Sequence, residues 1–430
     1  MILNPSKINQ THFIWRWAIG LFGIGLIHLV GQYLIREPSE RFWMFLPGYI
    51  WLLAYYLQVI PKPELPRQSL WTRWLMLIIL WSFPILFYVG LVTLCQSPFS
   101  WRELLIVIYF FVFCIEIPLL YFFNGLDYLD AKVKSRLNKY WGAVGRVLLR
   151  GCAYLILIPV LLTIFGIHRP KLLPAGFQFA DPAFVEAIEF ESREENPLML
   201  RGEYLTHPAA KGSVIVCHGV GANRSDISAI VELVYESGYN VLTFDFRGHG
   251  ESDGHTITYG TRERRDVLGA YDYLLSRPET DPHKLYALGV SMGGSALLLA
   301  LPEMPQVQAA VVDSSFADLN LMVHHQLKYF PKWIRAGMVS LVRLVSWIET
   351  GSDLTAMRPL DSIREIDCPI TIIHGQADHV VPFEQAELLK ANCSHLKDFY
   401  APEDVDHIGT AMLQPWKYQE LIREAFRDEK

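Results

Sequence analysis

The sequence predicts a two-part protein: an all-α transmembrane domain of about five helices, followed by an α/β domain with a mostly parallel sheet, helices on both faces and a small helical lid. Three observations predict it. Five apolar segments of membrane-spanning length occupy the first 170 residues. Behind them, short strand-like runs alternate with helix-length stretches. Between the two parts the charge reverses, with 16 Lys/Arg against 7 Asp/Glu up to Leu172 and 22 against 37 beyond it. At 430 residues the chain exceeds the usual size of one hydrophobic core. The expected divisions are a membrane domain at 1–170, a linker at 171–184 and the α/β domain at 185–430, with a lid insertion at about 316–360.

The apolar segments are Phe13 to Ile35, Phe42 to Ile60, Trp71 to Cys95, Leu104 to Phe123 and Val147 to Ile167. Each is long enough to cross a hydrocarbon core of roughly 30 Å as a helix. The second, with Pro47 and Gly48 inside it, can also be read as re-entrant or buried. Nine of the 12 Trp residues precede position 172, as anchoring at membrane interfaces requires. The first segment has neither a basic leader nor a small-residue cleavage site, so it is expected to stay as an anchor. With five spans, 11 Lys/Arg fall on one side, including Lys132, Lys134, Arg136, Lys139, Arg146 and Arg150, and 5 on the other. Because basic loops stay in the cytoplasm, an integral membrane protein with a cytoplasmic N-terminus and an extracytoplasmic α/β domain is expected. Glu116 within the fourth segment is open to a functional or a structural reading.

After a Pro- and Gly-punctuated stretch, runs of strand length occur at Ser213–Cys217, Asn240–Asp245, Lys284–Gly289, Gln308–Asp313, Pro369–His374 and Lys397–Ala401. Helix-length stretches separate them at Ser225–Ser237, Thr261–Ser276, Ser291–Leu301, Phe383–Asn392 and Gly409–Phe426. This alternation predicts a parallel sheet whose ligands meet the carboxyl ends of the strands. The six cysteines show no paired spacing, so neither a disulfide scaffold nor a zinc site is expected, and Cys217 and Cys368 read as structural.

The chemistry centres on Gly289-Val290-Ser291-Met292-Gly293, set between a strand and a helix. A sharp strand-to-helix turn strains the serine backbone, and the flanking glycines let neighbouring segments approach without a Cβ. A serine hydroxyl needs a base within hydrogen-bond reach and a carboxylate to orient that base. Asp378, after the strand ending at His374, and His407, after the last strand, follow Ser291 in the required order and sit on carboxyl-end loops. Asp313 is a competing acid at another strand end. His374, His379 and His395 do not follow the last strand and read as packing or surface histidines, while Asp404 and Asp406 tune or solvate the His407 loop. The oxyanion of an acyl-transfer intermediate calls for main-chain donors. These are expected from the N–H of Met292 and of Val220, the latter in the loop His218-Gly219-Val220-Gly221, where His218 reads as a loop-stabilising residue.

Taken together, the His218-Gly-x-Gly loop, the turn Phe244-Asp245-Phe246-Arg247-Gly248-His249-Gly250-Glu251-Ser252, the Gly-Val-Ser-Met-Gly elbow, Gly375-x-x-Asp378-x-x-Val381-Pro382 and the late Asp406-His407 resemble the α/β-hydrolase superfamily. The serine-aminopeptidase and monoacylglycerol-lipase-like branches are most similar. The resemblance covers about residues 185–428 and implies that the Asp245 to Ser252 turn shapes the floor of the site without doing chemistry. Asp406-His407-Ile408 stands where Gly-His is commoner, and the membrane segments lie outside the resemblance.

The insertion before Pro369 holds an apolar stretch including Trp333, Met338, Leu341, Leu344, Val345, Trp347 and Ile348. It reads as an acyl-binding lid, a bilayer-facing surface or a packed helix. No metal pattern, phosphate-cradling loop or dinucleotide fingerprint occurs, so no cofactor and no metal are expected. The acidic second part argues against nucleic acid. The expected partners are the lipid bilayer and an acyl or lipid-like small molecule. The expected function is a membrane-anchored serine hydrolase that cleaves an ester through an acyl-enzyme. A peptidase, thioesterase or acyltransferase could use the same machinery, and a non-catalytic membrane receptor or scaffold is the remaining alternative.

Overall fold

The computed structural model describes residues 155–427, except 157, 158, 161, 170, 178 and 180. The chain divides into two units, Met1–Leu157 and Ile158–Lys430, and the sheet lies wholly in the second. Its strands are β1 (Val185–Glu191), β2 (Met199–Leu205), β3 (Ser213–Cys217), β4 (Asn240–Phe244), β5 (Leu285–Val290), β6 (Val307–Asp313), β7 (Ile370–Ile373) and β8 (Leu396–Tyr400). They form one sheet in the order β1-β2-β4-β3-β5-β6-β7-β8. The pairings from β4 through β8 are parallel, whereas β1–β2 and β2–β4 are antiparallel. Loops that leave Cys217, Phe244, Val290, Asp313, Ile373 and Tyr400 therefore emerge at one edge.

The helices of the domain are α1 (Ser228–Glu236), α2 (Glu263–Ser276), α3 (Met292–Ala300), α4 (Leu319–Gln326), α5 (Lys332–Thr350), α6 (Pro359–Ser362), α7 (Phe383–Asn392), α8 (Thr410–Leu413) and α9 (Pro415–Ala425). The parallel strands are apolar on both sides, as strands covered on both faces must be. Ile215 and Cys217 share one cluster with Val267, Leu274 and Leu297 of α2 and α3. Val214 and Val216 share the other with Ile230 and Val234 of α1 and Tyr418 and Ile422 of α9. Each fully buried Leu, Ile or Val contributes about 1.5–3 kcal/mol relative to an exposed one.

The six expected strands form to within a residue or two. The expected helix Gly409–Phe426 is broken at Gln414 into α8 and α9, because Pro415 has no N–H to continue the ladder and instead starts a new first turn. The insertion between β6 and β7 holds α4, α5 and α6. β1 and β2 had no counterpart among the expected strands. Both carry charge on their open face, and Gly202 weakens the strand reading of β2. Only the fold explains that glycine, since a Cβ there would lie 2.8 Å from Phe244 Cβ on the neighbouring strand.

The stretch ahead of β1 is held against the domain. A helical turn at 162–167 ends on the buried Ile167, whose carbonyl accepts from the Ile257 amide at 2.8 Å. Lys171 donates to the Ser252 carbonyl at 2.6 Å, and Asn223 Nδ2 donates to the Leu172 carbonyl at 3.2 Å. Among the described residues, no helix is long and apolar enough to cross a membrane. The first four apolar segments, most of the fifth, Glu116, Cys95, Cys114 and Cys152 lie outside the described residues.

Candidate active site

Ser291 sits between β5 and α3 with φ 53° and ψ −122°, a conformation that costs a non-glycine residue about 1–3 kcal/mol. Three glycines permit the turn. A Cβ at Gly289 would come 2.6 Å from Gly294 Cα, and one at Gly293 would collide with the His218 carbonyl; Gly294 is closed off by Ser315 Oγ. The serine is nearly buried, at 5% exposure.

The carboxyl edge brings the three predicted side chains together. Ser291 Oγ lies 3.0 Å from His407 Nε2, and His407 Nδ1 lies 2.7 Å from Asp378 Oδ2. The other carboxylate oxygen, Asp378 Oδ1, accepts the amides of Val380 at 2.9 Å and Val381 at 2.7 Å, so the loop after β7 fixes the carboxylate plane. With Asp378 accepting from Nδ1–H, the neutral imidazole presents a bare Nε2 to the Ser291 hydroxyl.

The competing residues do not take those places, although His374 Nε2 lies 3.5 Å from Asp378 Oδ2. Asp313 is fully buried at the end of β6 and receives the Ser314 hydroxyl at 3.0 Å rather than His407 Nδ1. Burial pushes its carboxyl up to about 6, against the pull of the Ser314 hydroxyl. His374 is buried, donates Nε2–H to the Val381 carbonyl at 2.9 Å, and is pushed down by burial. His395 is exposed, as is Asp404. Asp406 is a brace: its Oδ1 accepts the amides of His407 at 2.7 Å and His379 at 3.0 Å, tying the loop after β8 to the loop after β7. Burial pushes the Asp406 carboxyl up, but those two amides together with the His379 side chain outweigh it and hold it below the ordinary range.

The loop after β3 carries Val220. Gly219 packs on Ser291, since a Cβ there would lie 3.2 Å from Ser291 Cβ and 3.7 Å from Oγ. Two buried histidines set this loop. His218 Nε2 accepts from the Phe246 amide at 3.0 Å, which leaves Nδ1–H to donate to the Gly219 carbonyl at 2.7 Å. His249 Nε2 accepts from the Gly221 amide at 3.0 Å, and its Nδ1–H donates to the Arg247 carbonyl at 2.9 Å. Burial pushes both imidazoles down, His218 to about 4 and His249 to about 3, so both are neutral. Sequence reasoning assigned His218 this bracing role but missed that of His249, which reaches Gly221 across the sheet edge.

The Asp245 to Ser252 turn is a structural lattice. Asp245 accepts the amides of Arg224 at 2.8 Å and Glu251 at 3.0 Å and pairs with the Arg224 guanidinium. Arg247 is clamped by Asp266 and Glu194, each at 2.6 Å. Among the described residues no cluster of His, Cys, Asp and Glu could hold a metal ion. The described cysteines Cys217, Cys368 and Cys393 are all free. Burial pushes the Cys217 thiol up, as expected of a packed rather than a reactive residue.

The family described as serine aminopeptidase, S33, matches residues 208–358. The YfhR protein of Salmonella typhi is 28% identical over 281 residues, covering 60% of this chain and 87% of its own. YqkD of Bacillus subtilis (strain 168) is 25% identical over 231 residues, covering 52% and 74%. An esterase of Pyrococcus furiosus is similar in structure, with a TM-score of 0.48 and 23% identity over 60% of this chain and 96% of that one. The mostly parallel eight-stranded sheet and the elbow between β5 and α3 give the described part of this chain an α/β-hydrolase fold.

Proposed function

We propose that the protein is a membrane-anchored serine hydrolase that cleaves an ester of an acyl or lipid-like compound, with Ser291 as nucleophile, His407 as general base and Asp378 as its orienting acid. The observation that carries this reading is the relay of 3.0 Å from Ser291 Oγ to His407 Nε2 and 2.7 Å from Nδ1 to Asp378. Ser291 Oγ attacks the acyl carbonyl carbon as its proton passes to Nε2. The amides of Val220 and Met292 hold the resulting oxyanion. The bond to the leaving alcohol then breaks, and Nε2 returns the proton to that alcohol. Water attacks the acyl-enzyme by the same route, releasing the carboxylic acid and restoring the hydroxyl.

The lipid-like substrate and the bilayer rest on α5 and on the apolar segments ahead of residue 168. Trp333, Leu344, Trp347 and Ile348 of α5 are 54–77% exposed and share one helical face. Lys332, Arg335 and Arg343 stand on the same helix, an arrangement suited to an interface with anionic lipid and to closing over an acyl chain. In this reading the N-terminus is cytoplasmic and the hydrolase domain extracytoplasmic.

A fluorophosphonate probe should label the full-length protein in membranes and should not label Ser291→Ala; equal labelling of both would overturn the proposal. Protection in intact cells, compared with permeabilised ones, reads the sidedness. A peptidase reading draws on the description of the matching family, and faster turnover of aminoacyl amides than of esters would favour it.

A further inference from the structure

Among the described residues, four non-glycine residues have a left-handed backbone: Tyr259, Ser291, Ser314 and Ile408. Three of them meet at one point beside the site. The Ser291 amide donates to the Asp313 carbonyl at 2.8 Å. The next residue, Ser314, donates its own amide to the carbonyl of Ile373 at 2.9 Å, at the end of the strand that leads to Asp378. Its hydroxyl accepts the Ile408 amide at 3.0 Å. Asp313 and Ser314 thus touch the nucleophile, the acid strand and the base loop at once.

The direction of each bond follows from the chemistry of the groups. An amide can only donate, so the Ser314 oxygen accepts from Ile408, and its single proton goes to Asp313 Oδ1 at 3.0 Å. Asp313 and Ser314 are almost wholly buried, so water does not substitute for either bond. A β-branched residue at φ 55° is a conformational outlier. Ile408 stays there because its amide is held, and the 407–408 peptide in turn sets the direction in which the His407 side chain leaves the backbone.

We propose that Ser314, oriented by Asp313, is a positioning residue that holds the His407 imidazole against Ser291 through the Ile408 amide. The inference rests on the reading of Ser291 and His407 as nucleophile and base. Ser314 touches no reacting atom.

The test uses full-length protein, Ser314→Ala and Ser314→Gly, with kcat and KM on a reporter ester and the rate of fluorophosphonate labelling. Glycine accepts φ 52° without strain, so it removes the hydroxyl without a backbone penalty and decides the matter if the alanine variant does not fold. Both variants should lose about tenfold in kcat and in labelling rate with KM within about twofold. Adding Ile408→Gly should restore most of the loss, because glycine holds the left-handed turn unaided. Wild-type labelling rates in Ser314→Gly, or a loss that Ile408→Gly does not recover, would overturn the inference. A wild-type protein that does not label at all would instead sink the hydrolase reading.

Discussion

The Gly221 amide donates to His249 Nε2 at 3.0 Å, so a buried imidazole from the turn after β4 sets the pose of the loop that carries Val220. Replacing His249 by Phe keeps the volume but strands that amide, which costs about 1–3 kcal/mol. With Val220 as an oxyanion donor, kcat should fall about tenfold or more while KM changes little. Steady-state kinetics on a reporter ester checks it, and an unchanged kcat would separate this loop from the chemistry.

His407 Nδ1 is bonded to Asp378, whereas Asp313 is bonded to Ser314. Asp378→Asn should therefore lower kcat by about 10⁴, the cost of presenting the wrong tautomer. Asp313→Asn keeps an acceptor for the Ser314 hydroxyl and should lose less than about tenfold. A reversed ranking of the two variants would move the acid to β6.

Two glycines should behave in opposite ways. Gly293→Ala would drive a Cβ into the His218 carbonyl, with the Cys217 carbonyl 2.6 Å away, so the yield of folded protein and probe labelling should collapse. Gly337 lies within α5 with nothing near its Cβ position. Gly337→Ala should stabilise the domain by about 1 kcal/mol, raising Tm by about 2–4 °C. Thermal melting of the two variants reads both effects.

Burial holds His218 and His249 neutral, with values pushed down to about 4 and about 3 from the ordinary 6.5. Below pH 6.5 the unfolded chain takes up protons that the folded chain refuses, so their contribution to stability is present above that pH and is lost as pH falls through the folded values. Asp313 and Asp266, pushed up by burial to about 6, act with the opposite sign: their contribution is present at low pH and lost as pH rises through about 6. The share of one histidine is therefore a difference between proteins. Melting of His218→Gln between pH 4 and 7 should show a shallower fall on acidification than wild type, and parallel curves would count against a buried neutral His218.

Local signals mark the candidate site. The glycine-flanked Ser291 between an apolar run and a helix, the Gly375 turn before Asp378 and the late His407 each announce themselves within a few residues. The helix at Phe383–Asn392 follows from its length between two strand-like runs. β1 and β2 did not announce themselves, because an antiparallel edge with Glu186, Glu189, Arg201 and Glu203 in it has weak strand preference until β4 pairs with it. The break at Pro415 is legible in its residue type, since a proline without an N–H ends one helix and opens the next.

The sequence by itself determined the order of the strands from Ser213 onward and placed Ser291, Asp378 and His407, in that order, on loops at strand ends, because those depend on residue type and short-range spacing. Only the tertiary structure decided which carboxylate His407 faces, that His249 holds the Gly221 amide, and that Ser314 holds Ile408. The last two contacts join residues 28 and 94 positions apart. Their geometry comes from parallel strands that deliver distant loops to a common edge, which no local pattern records.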